Sequence, residues 1–374
     1  MNTTTTVKMT LVLFLLCSGF FHFTFASNHL RHFRLSQLYV TWNAKLNACN
    51  HTNESLVTLY DEEDANFIVK FLEKHGDGKL SLLGLHYNRT TTWSDGTPIT
   101  FNKSSVNLTN GEQTCEAIKN NTWRGFNCSE RKYFMCSKGD DYTLIKNEKN
   151  WCQALQYCRT HFTNLVSIHN ITQNSKVIKE GNNSSFWIGL LHDEWEWLDK
   201  SCSSFRKWYP PDPVNVECTS IYTNNDDPLS LYPFSCENEA NIICSKGTVR
   251  IKVIDRPLTW EQAFDYCKAH HTGLLWIEDE EDQWAVEQWL NHTDVGGSFW
   301  IGLRQSRVFG FWIWSDRTVT YSKWKDNKPP EMPLSNHCGV IEKDDKKDDY
   351  RWRDENCWLQ LPFLCEEEIV FMNK

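Results

Sequence analysis

The 374-residue sequence is sparing with several things. It holds 11 prolines and 17 glycines, too few for a collagen-like array or a Pro/Gly-rich disordered chain. It has no strongly basic stretch: 39 Lys+Arg stand against 48 Asp+Glu, a formal charge of −9. A phosphate-backbone binder needs a basic face, so nucleic acid is not an expected partner. After residue 26 no long apolar run occurs, so no membrane span is expected. Missing too are His-Glu-x-x-His, Gly-x-Ser-x-Gly and a phosphate-cradling glycine loop, which argues against an enzyme. What is plentiful is the opposite: 15 Cys, 18 Trp and an apolar fraction of 40%. That supplies packed cores for two to four domains.

The first 26 residues read as a secretory signal. Lys8 precedes the apolar run Met9 to Phe25, and Thr24-Phe25-Ala26 places small residues at −3 and −1 of a cleavage site. An uncleaved anchor is the competing reading. A secreted, extracellular protein is the expectation, and cysteine usage agrees with it. With Cys17 removed, 14 cysteines remain, an even number suited to an oxidising compartment. N-glycosylation acceptors begin at Asn50, Asn53, Asn88, Asn102, Asn107, Asn120, Asn127, Asn170, Asn182, Asn183 and Asn291. Seven of these eleven precede residue 138, so that region is expected to carry a dense glycan coat.

Self-comparison shows a threefold repeat. Cys49, Cys158 and Cys267 are each 109 residues apart, and each ends a segment whose Trp lies seven residues earlier (Trp42, Trp151, Trp260). Apolar residues three and four apart make each segment a short amphipathic helix. Downstream follow a short apolar strand, a second helix (clearest from Asp279 to Leu290) and a buried strand: Leu-Leu-Gly-Leu85, Trp-Ile-Gly-Leu190 and Trp-Ile-Gly-Leu303. Next comes a Trp-rich hairpin segment around Trp93, Trp195-Glu-Trp197 and Trp312-Ile-Trp314. Each copy closes with two further cysteines and an apolar strand ending in Cys136, Cys244 or Cys365. The repeats bound a signal peptide over 1–26 and domains over 27–137, 138–246 and 247–374. Their joints, Cys136-Ser-Lys-Gly and Cys244-Ser-Lys-Gly, are too short for flexible linkers, so neighbours should touch.

Simple geometry proposes an outer bridge from helix to last strand in each copy: Cys49–Cys136, Cys158–Cys244 and Cys267–Cys365. It also proposes an inner bridge tying a long loop to its return strand: Cys115–Cys128, Cys218–Cys236 and Cys338–Cys357. Cys152 and Cys202 remain and are paired with each other, intermolecular bridging being the alternative.

Two helices, Trp-Ile-Gly-Leu, Trp-x-Trp and the four-cysteine framework together resemble the C-type lectin-like domain. The chain resembles tandem members of the mannose-receptor type. The resemblance implies an α+β fold: three tandem disulfide-stapled modules, each with two helices, mainly antiparallel sheets and a long loop that usually carries the binding site. In sugar-binding members that loop holds Ca²⁺ through a Glu-Pro-Asn or Gln-Pro-Asp triplet and an Asn-Asp pair after a later Trp. Such a site needs hard oxygen donors and charge neutralisation.

None of the three copies keeps this donor set. In the third, Lys328-Pro329-Pro330 stands for the triplet and Arg353-Asp354 for Asn-Asp, so two donors have become cations and a third a proline. In the second, Asp212-Pro213-Val214 lacks the last donor and Leu-Tyr-Pro-Phe-Ser lacks Asn-Asp. In the first, Asn107-Leu108-Thr109-Asn110 is a glycan acceptor and Arg124-Gly125 follows Trp123. No cofactor is expected, with Ca²⁺ only at a non-standard site. Asp344, Asp345, Asp348 and Asp349 alternate with lysines and read as a solvated loop. His270 and His271 diverge by about 100° on a helix, which argues against a shared metal.

Ten of the 18 Trp lie in the third copy, most of them expected in the core; Trp284, Trp289 and Trp358 are less constrained. The candidate ligand loop is therefore Lys328, Pro329, His337, Arg353 and Asp354. The expected function is non-enzymatic recognition of an extracellular protein or atypical glycan without the usual calcium site. The competing reading is a calcium-dependent carbohydrate-binding lectin whose weak sites add through avidity. The oligomeric state is left open.

Overall fold

A computed structural model describes residues 30–36, 39–42, 44, 48–49, 54–75, 80–108, 111–210, 216–306, 310–315, 317–330, 336–344 and 349–372. The expected signal segment, Asn50, Asn53 and the Asp212-Pro213-Val214 triplet lie outside the described residues.

Repeat 1 contributes β1 (His32–Leu35), β2 (Ser55–Leu56), α1 (Glu62–His75), β3 (Leu80–Trp93), β4 (Thr114–Lys119), β5 (Thr122–Asn127) and β6 (Lys132–Lys138). Repeat 2 contributes β7 (Asp141–Lys149), α2 (Trp151–His161), β8 (Asn164–Leu165), α3 (Ile171–Glu180), β9 (Phe186–Trp197), β10 (Cys218–Tyr222), β11 (Tyr232–Phe234) and β12 (Asn241–Lys246). Repeat 3 contributes β13 (Val249–Leu258), α4 (Trp260–His270), β14 (Gly273–Leu274), α5 (Glu280–Leu290), β15 (Phe299–Gln305), β16 (Trp312–Trp314), β17 (His337–Asp344), β18 (Asp349–Asn356) and β19 (Leu361–Glu368).

The helices start where local chemistry dictates. Asn150 and Thr259 each form a reciprocal capping box, with Gln153 and Gln262 three residues on. Asp279 accepts from the Asp282 amide, and acidic first turns suit the positive helix ends of α1 and α5. The Trp indoles then pin helices to strands in the same way in different repeats. Trp151 and Trp260 donate to Ile188 O and Ile301 O, each at 2.8 Å. Trp187 and Trp300 donate to Lys149 O at 3.0 Å and Leu258 O at 2.9 Å. The glycine of each buried strand is a packing requirement: a Cβ on Gly84 or Gly302 would lie 3.0 Å from a backbone carbonyl oxygen.

Repeat 3 folds on itself. Its seven strands form one sheet in the order β13-β19-β15-β17-β18, with β14 on β19 and β16 on β15. Its bridges are Cys267–Cys365 and Cys338–Cys357.

Repeats 1 and 2 exchange halves. β1 and β2 of repeat 1 pair with β12, the last strand of repeat 2. β6, the last strand of repeat 1, pairs instead with β7, β8 and β9 of repeat 2. The first composite unit thus joins the C-terminal half of repeat 1 to the N-terminal half of repeat 2. The second composite unit joins the remaining halves. A diagnostic contact follows the exchange: Trp352 donates to Gln283 Oε1 within repeat 3 (2.8 Å), whereas Trp123 of repeat 1 donates to Asn174 Oδ1 of repeat 2 (2.9 Å).

This corrects two expected bridges. Cys49 is bonded to Cys244 and Cys136 to Cys158, in place of Cys49–Cys136 and Cys158–Cys244. The remaining bridges are Cys115–Cys128, Cys152–Cys202 and Cys218–Cys236.

The physical reason lies in a hinge. In repeat 3 ten residues, Arg304 to Ile313, separate Leu303 from Trp314. They turn back through Gly310 at φ 75°, and Leu303 pairs with Trp314 in a hairpin. Repeat 1 has seven residues there, His86 to Thr92, and repeat 2 has six, Leu191 to Glu196, with no glycine and no positive φ in either. A two- or three-residue hairpin turn needs residues that tolerate positive φ. With no glycine there, β3 and β9 run straight through and pair with each other, Leu85 opposite Trp197 and Trp93 opposite Leu190. The Leu–Trp pairing of the repeat 3 hairpin is kept, with its partner drawn from the other copy, which is domain swapping between tandem repeats.

The second composite unit is fused to repeat 3 through a mixed seam. Phe67 of α1 stacks near Trp289 of α5 at 4.4 Å between ring centroids, and Phe33 closes the cluster. The Phe33 amide donates to Gln288 Oε1 (2.9 Å) and Gln288 Nε2 donates to Phe33 O (2.8 Å). Beside it the fully buried Asp64 carboxylate meets Arg31 at 3.2 Å and Arg250 at 2.9 Å.

Candidate functional site

The long-loop region of repeat 3 is built on the β17–β18 hairpin. Its register puts Val340 opposite Arg353, Gly339 opposite Asp354 and Glu342 opposite Arg351. Trp324 and Trp352 are buried and hold the preceding loop down: Lys325 N donates to Trp352 O (2.9 Å) and Trp352 N to Lys323 O (2.8 Å).

Arg353 lies where the sugar-type metal loop would present an amide oxygen, and it is clamped. Its Nε and Nη2 donate to the two oxygens of Glu342, both at 2.9 Å, and its Nη1 pairs with Glu355. Ser298 Oγ (2.9 Å) and Lys325 Nζ (3.1 Å) also donate to Glu342. Burial works to raise the Glu342 pKa, but these donors, Arg353 first, hold it below the ordinary glutamate value. The Glu342 hydrogen bonds raise the Arg353 pKa in return. The remaining carboxylate, Asp354, lies 2.6 Å from His337 Nδ1. Lys328 and Pro329 are exposed on the loop.

This donor set does not fit a calcium ion. Such an ion takes six to eight oxygens, and here the two carboxylates nearest the loop are committed to a guanidinium, an ammonium and an imidazole. Asp349 likewise pairs with Arg351 at 2.7 Å, and Asp345 and Asp348 lie outside the described residues. Among the described residues no group of three or more His, Cys, Asp or Glu is placed to hold a metal. In the first repeat Trp123 is buried, Arg124 exposed, and Thr109-Asn110 outside the described residues.

Two further clusters bear on chemistry. Ser104, His192 and Glu116 meet inside the first composite unit, but the same His192 Nε2 faces both Ser104 (3.3 Å) and Glu116 (3.1 Å). A catalytic relay uses opposite ring nitrogens, so this arrangement is a buried structural network. His270 and His271 line a cavity of about 300 Å³ where the three units meet, with Tyr60, Gln153, Gln156 and Glu367.

Of the less constrained tryptophans, Trp358 is 65% exposed and Trp284 43%, while Trp289 is buried in the seam. Trp284 faces His32 of repeat 1 at 5.0 Å between rings. Sequence reasoning missed Glu342, the acceptor that neutralises Arg353. An acid on β17 near a cation on β18 was the available signal.

The Lectin C-type domain profile matches residues 39–138, 147–246 and 256–367. The chain belongs to the C-type lectin domain family. Within it, the sequence is 24% identical over 371 residues to the secretory phospholipase A2 receptor of Oryctolagus cuniculus, covering 76% of this chain and 25% of that protein. It is 24% identical over 294 residues to lymphocyte antigen 75 of Homo sapiens, covering 65% and 17%. The chain thus spans a quarter or less of the length of these relatives. Among solved structures it is similar to the C-type lectin CEL-I of Cucumaria echinata, at 22% identity, 34% of this chain, 93% of that chain and a TM-score of 0.29. No helix among the described residues is long and apolar enough to cross a membrane.

Proposed function

We propose that this C-type lectin-like protein is a secreted, N-glycosylated, non-enzymatic binding protein that recognises a protein or atypical glycan without calcium in the long loop. The observation that carries this reading is the Arg353–Glu342 clamp: at a position where the family motif has an oxygen donor, this chain has a guanidinium held by a carboxylate. Recognition would fall to repeat 3, whose loop offers Lys328 and Pro329. The exchange supports this division. The described acceptors are all exposed, and seven of them (Asn102, Asn107, Asn120, Asn127, Asn170, Asn182, Asn183) gather on the first composite unit. Repeat 3 carries only Asn291.

The test is a calcium titration of the full chain by calorimetry together with a glycan array run with and without chelator. We expect no calcium heat from repeat 3 and chelator-insensitive binding. Chelator-sensitive mannose or galactose binding would overturn the reading in favour of a calcium-dependent lectin. Lys328→Ala, which breaks no ion pair of the clamp, should weaken ligand capture while leaving thermal stability unchanged.

A further inference from the structure

A groove of about 390 Å³ lies along the seam between α1 of repeat 1 and α5 of repeat 3. Its α5 wall is a single stripe, Trp284, Glu287, Gln288 and Asn291, at spacings of three, four and seven residues. Phe33 and Phe71 line it from the repeat 1 side. A volume of this size admits a small ligand.

The polar groups of the walls are largely engaged with the protein itself. Gln288 holds the Phe33 backbone in both directions. Glu287 accepts from Gln283 at 2.8 Å and from Lys323 at 2.7 Å, and Arg34 donates to Glu54 at 2.6 Å. The exposed surface of the α5 wall is aromatic: Trp284 touches His32 and still exposes 43% of its area. The fold does not call for this indole. In α3, the homologous helix of repeat 2, the residue five after the N-cap is Ser175, where α5 has Trp284. A large exposed ring where the sister helix keeps a serine points to an occupant with an apolar face.

The end of the same stripe supplies one. Asn291 is exposed and heads the acceptor Asn291-His292-Thr293. It is the C-cap of α5 and keeps helical backbone angles, φ −72° and ψ −11°. A helical Cα–Cβ bond leans toward the helix N-terminus, so a glycan rooted there sets off back over Gln288 and Glu287 toward Trp284. Asn182 and Asn183 differ: they follow α3 in the left-handed region, at φ 44° and 59°, beyond its last turn. Seven residues of helix rise about 10.5 Å, a span that two N-acetylglucosamine rings cover. Each ring has a face of C–H bonds that seats on an aromatic side chain while its hydroxyls stay in water. Lys74 and His75, exposed on the α1 side, offer donors to the N-acetyl carbonyls. A tethered sugar also meets the groove at far higher effective concentration than a diffusing partner.

We propose that this groove holds the first two sugars of the Asn291 glycan, which lie along α5 onto Trp284 and brace repeat 3 against repeat 1. The proposal rests on the secreted, N-glycosylated reading of the chain.

The test uses the full chain secreted from a eukaryotic host. Peptide mapping should find Asn291 occupied. Amide hydrogen exchange over residues 71–75 and 284–291 should quicken about fivefold in Asn291→Gln, the scale of one aromatic contact. Enzymatic removal of the glycan from the folded parent should give the same rise, which separates the effect of the sugar from a folding defect. Trp284→Ala should quicken exchange in the glycosylated chain and add little once residue 291 is Gln. Asn107→Gln, on the first composite unit, should leave both segments as they are in the parent. Three results would each overturn the proposal: a bare Asn291 in a chain whose other acceptors carry glycan, parental exchange in Asn291→Gln, or an equal Trp284→Ala effect with and without the sugar. A secreted chain with no glycan at any acceptor would instead overturn the N-glycosylated reading beneath it.

Discussion

Repeat 3 and repeats 1–2 use one design in two ways. All three encode the same helix, glycine-centred strand and cysteine framework. Repeat 3 closes its strand into a hairpin with Gly310 at the turn. Repeats 1 and 2 shorten that turn by three and four residues, lose the glycine, and each completes the other. Swapping costs little in contacts because the same Leu–Trp pairs form either way. It changes what is covalently joined: Cys49–Cys244 and Cys136–Cys158 weld repeats 1 and 2 into one body, while repeat 3 keeps its bridges to itself.

The strongest way to break this comparison is to cut the chain. A protease site placed at Gly139-Asp140, followed by cleavage and denaturation without reductant, should leave the two products linked in one band. Reduction should then release them. Release without reductant would mean that each repeat keeps its own bridges, and the contrast with repeat 3 would vanish.

A smaller effect sharpens the seam between the exchanged pair and repeat 3. Asp64→Ala removes the buried partner of Arg31 and Arg250, leaving two guanidiniums short of an acceptor. We expect a loss of about 3–5 kcal/mol in denaturant unfolding, the usual cost of breaking a buried pair. A change below about 1 kcal/mol, the range of exposed pairs, would show that the seam adds little.

The smallest effect is on pH. His32 and His292 sit at the same seam, and burial is the main cause lowering each below the ordinary value of 6.5. Glu281 opposes it at His32, while Lys70, Lys74 and His75 add to it at His292. A lowered histidine pKa means that the unfolded chain takes the proton first. Stability should therefore hold above about pH 6.5 and decline as pH falls below it. Thermal midpoints at pH 7.5 and 5.5 check the sign, and His292→Gln should flatten the difference.

Much of the architecture was legible from the residues. Trp151 and Trp260, each seven residues before a cysteine, marked the starts of α2 and α4. The glycines at 84, 189 and 302 marked buried strands, and on those of Gly189 and Gly302 the helix indoles are pinned. The cations Lys328 and Arg353 were legible as well, because they stand on a recognisable motif. The neutralisation of Arg353 by Glu342 was not, since it depends on a cross-strand register.

By itself the sequence determined the repeated units, their helices and strands, and the inner bridges, because these follow from short-range periodicity and loops of 13 to 19 residues. It did not determine which helix cysteine meets which last-strand cysteine. Near-identical halves fit one another equally well, so local pattern leaves that choice degenerate. Only the tertiary structure resolved it, where a shortened segment without glycine sent two strands straight into the neighbouring copy.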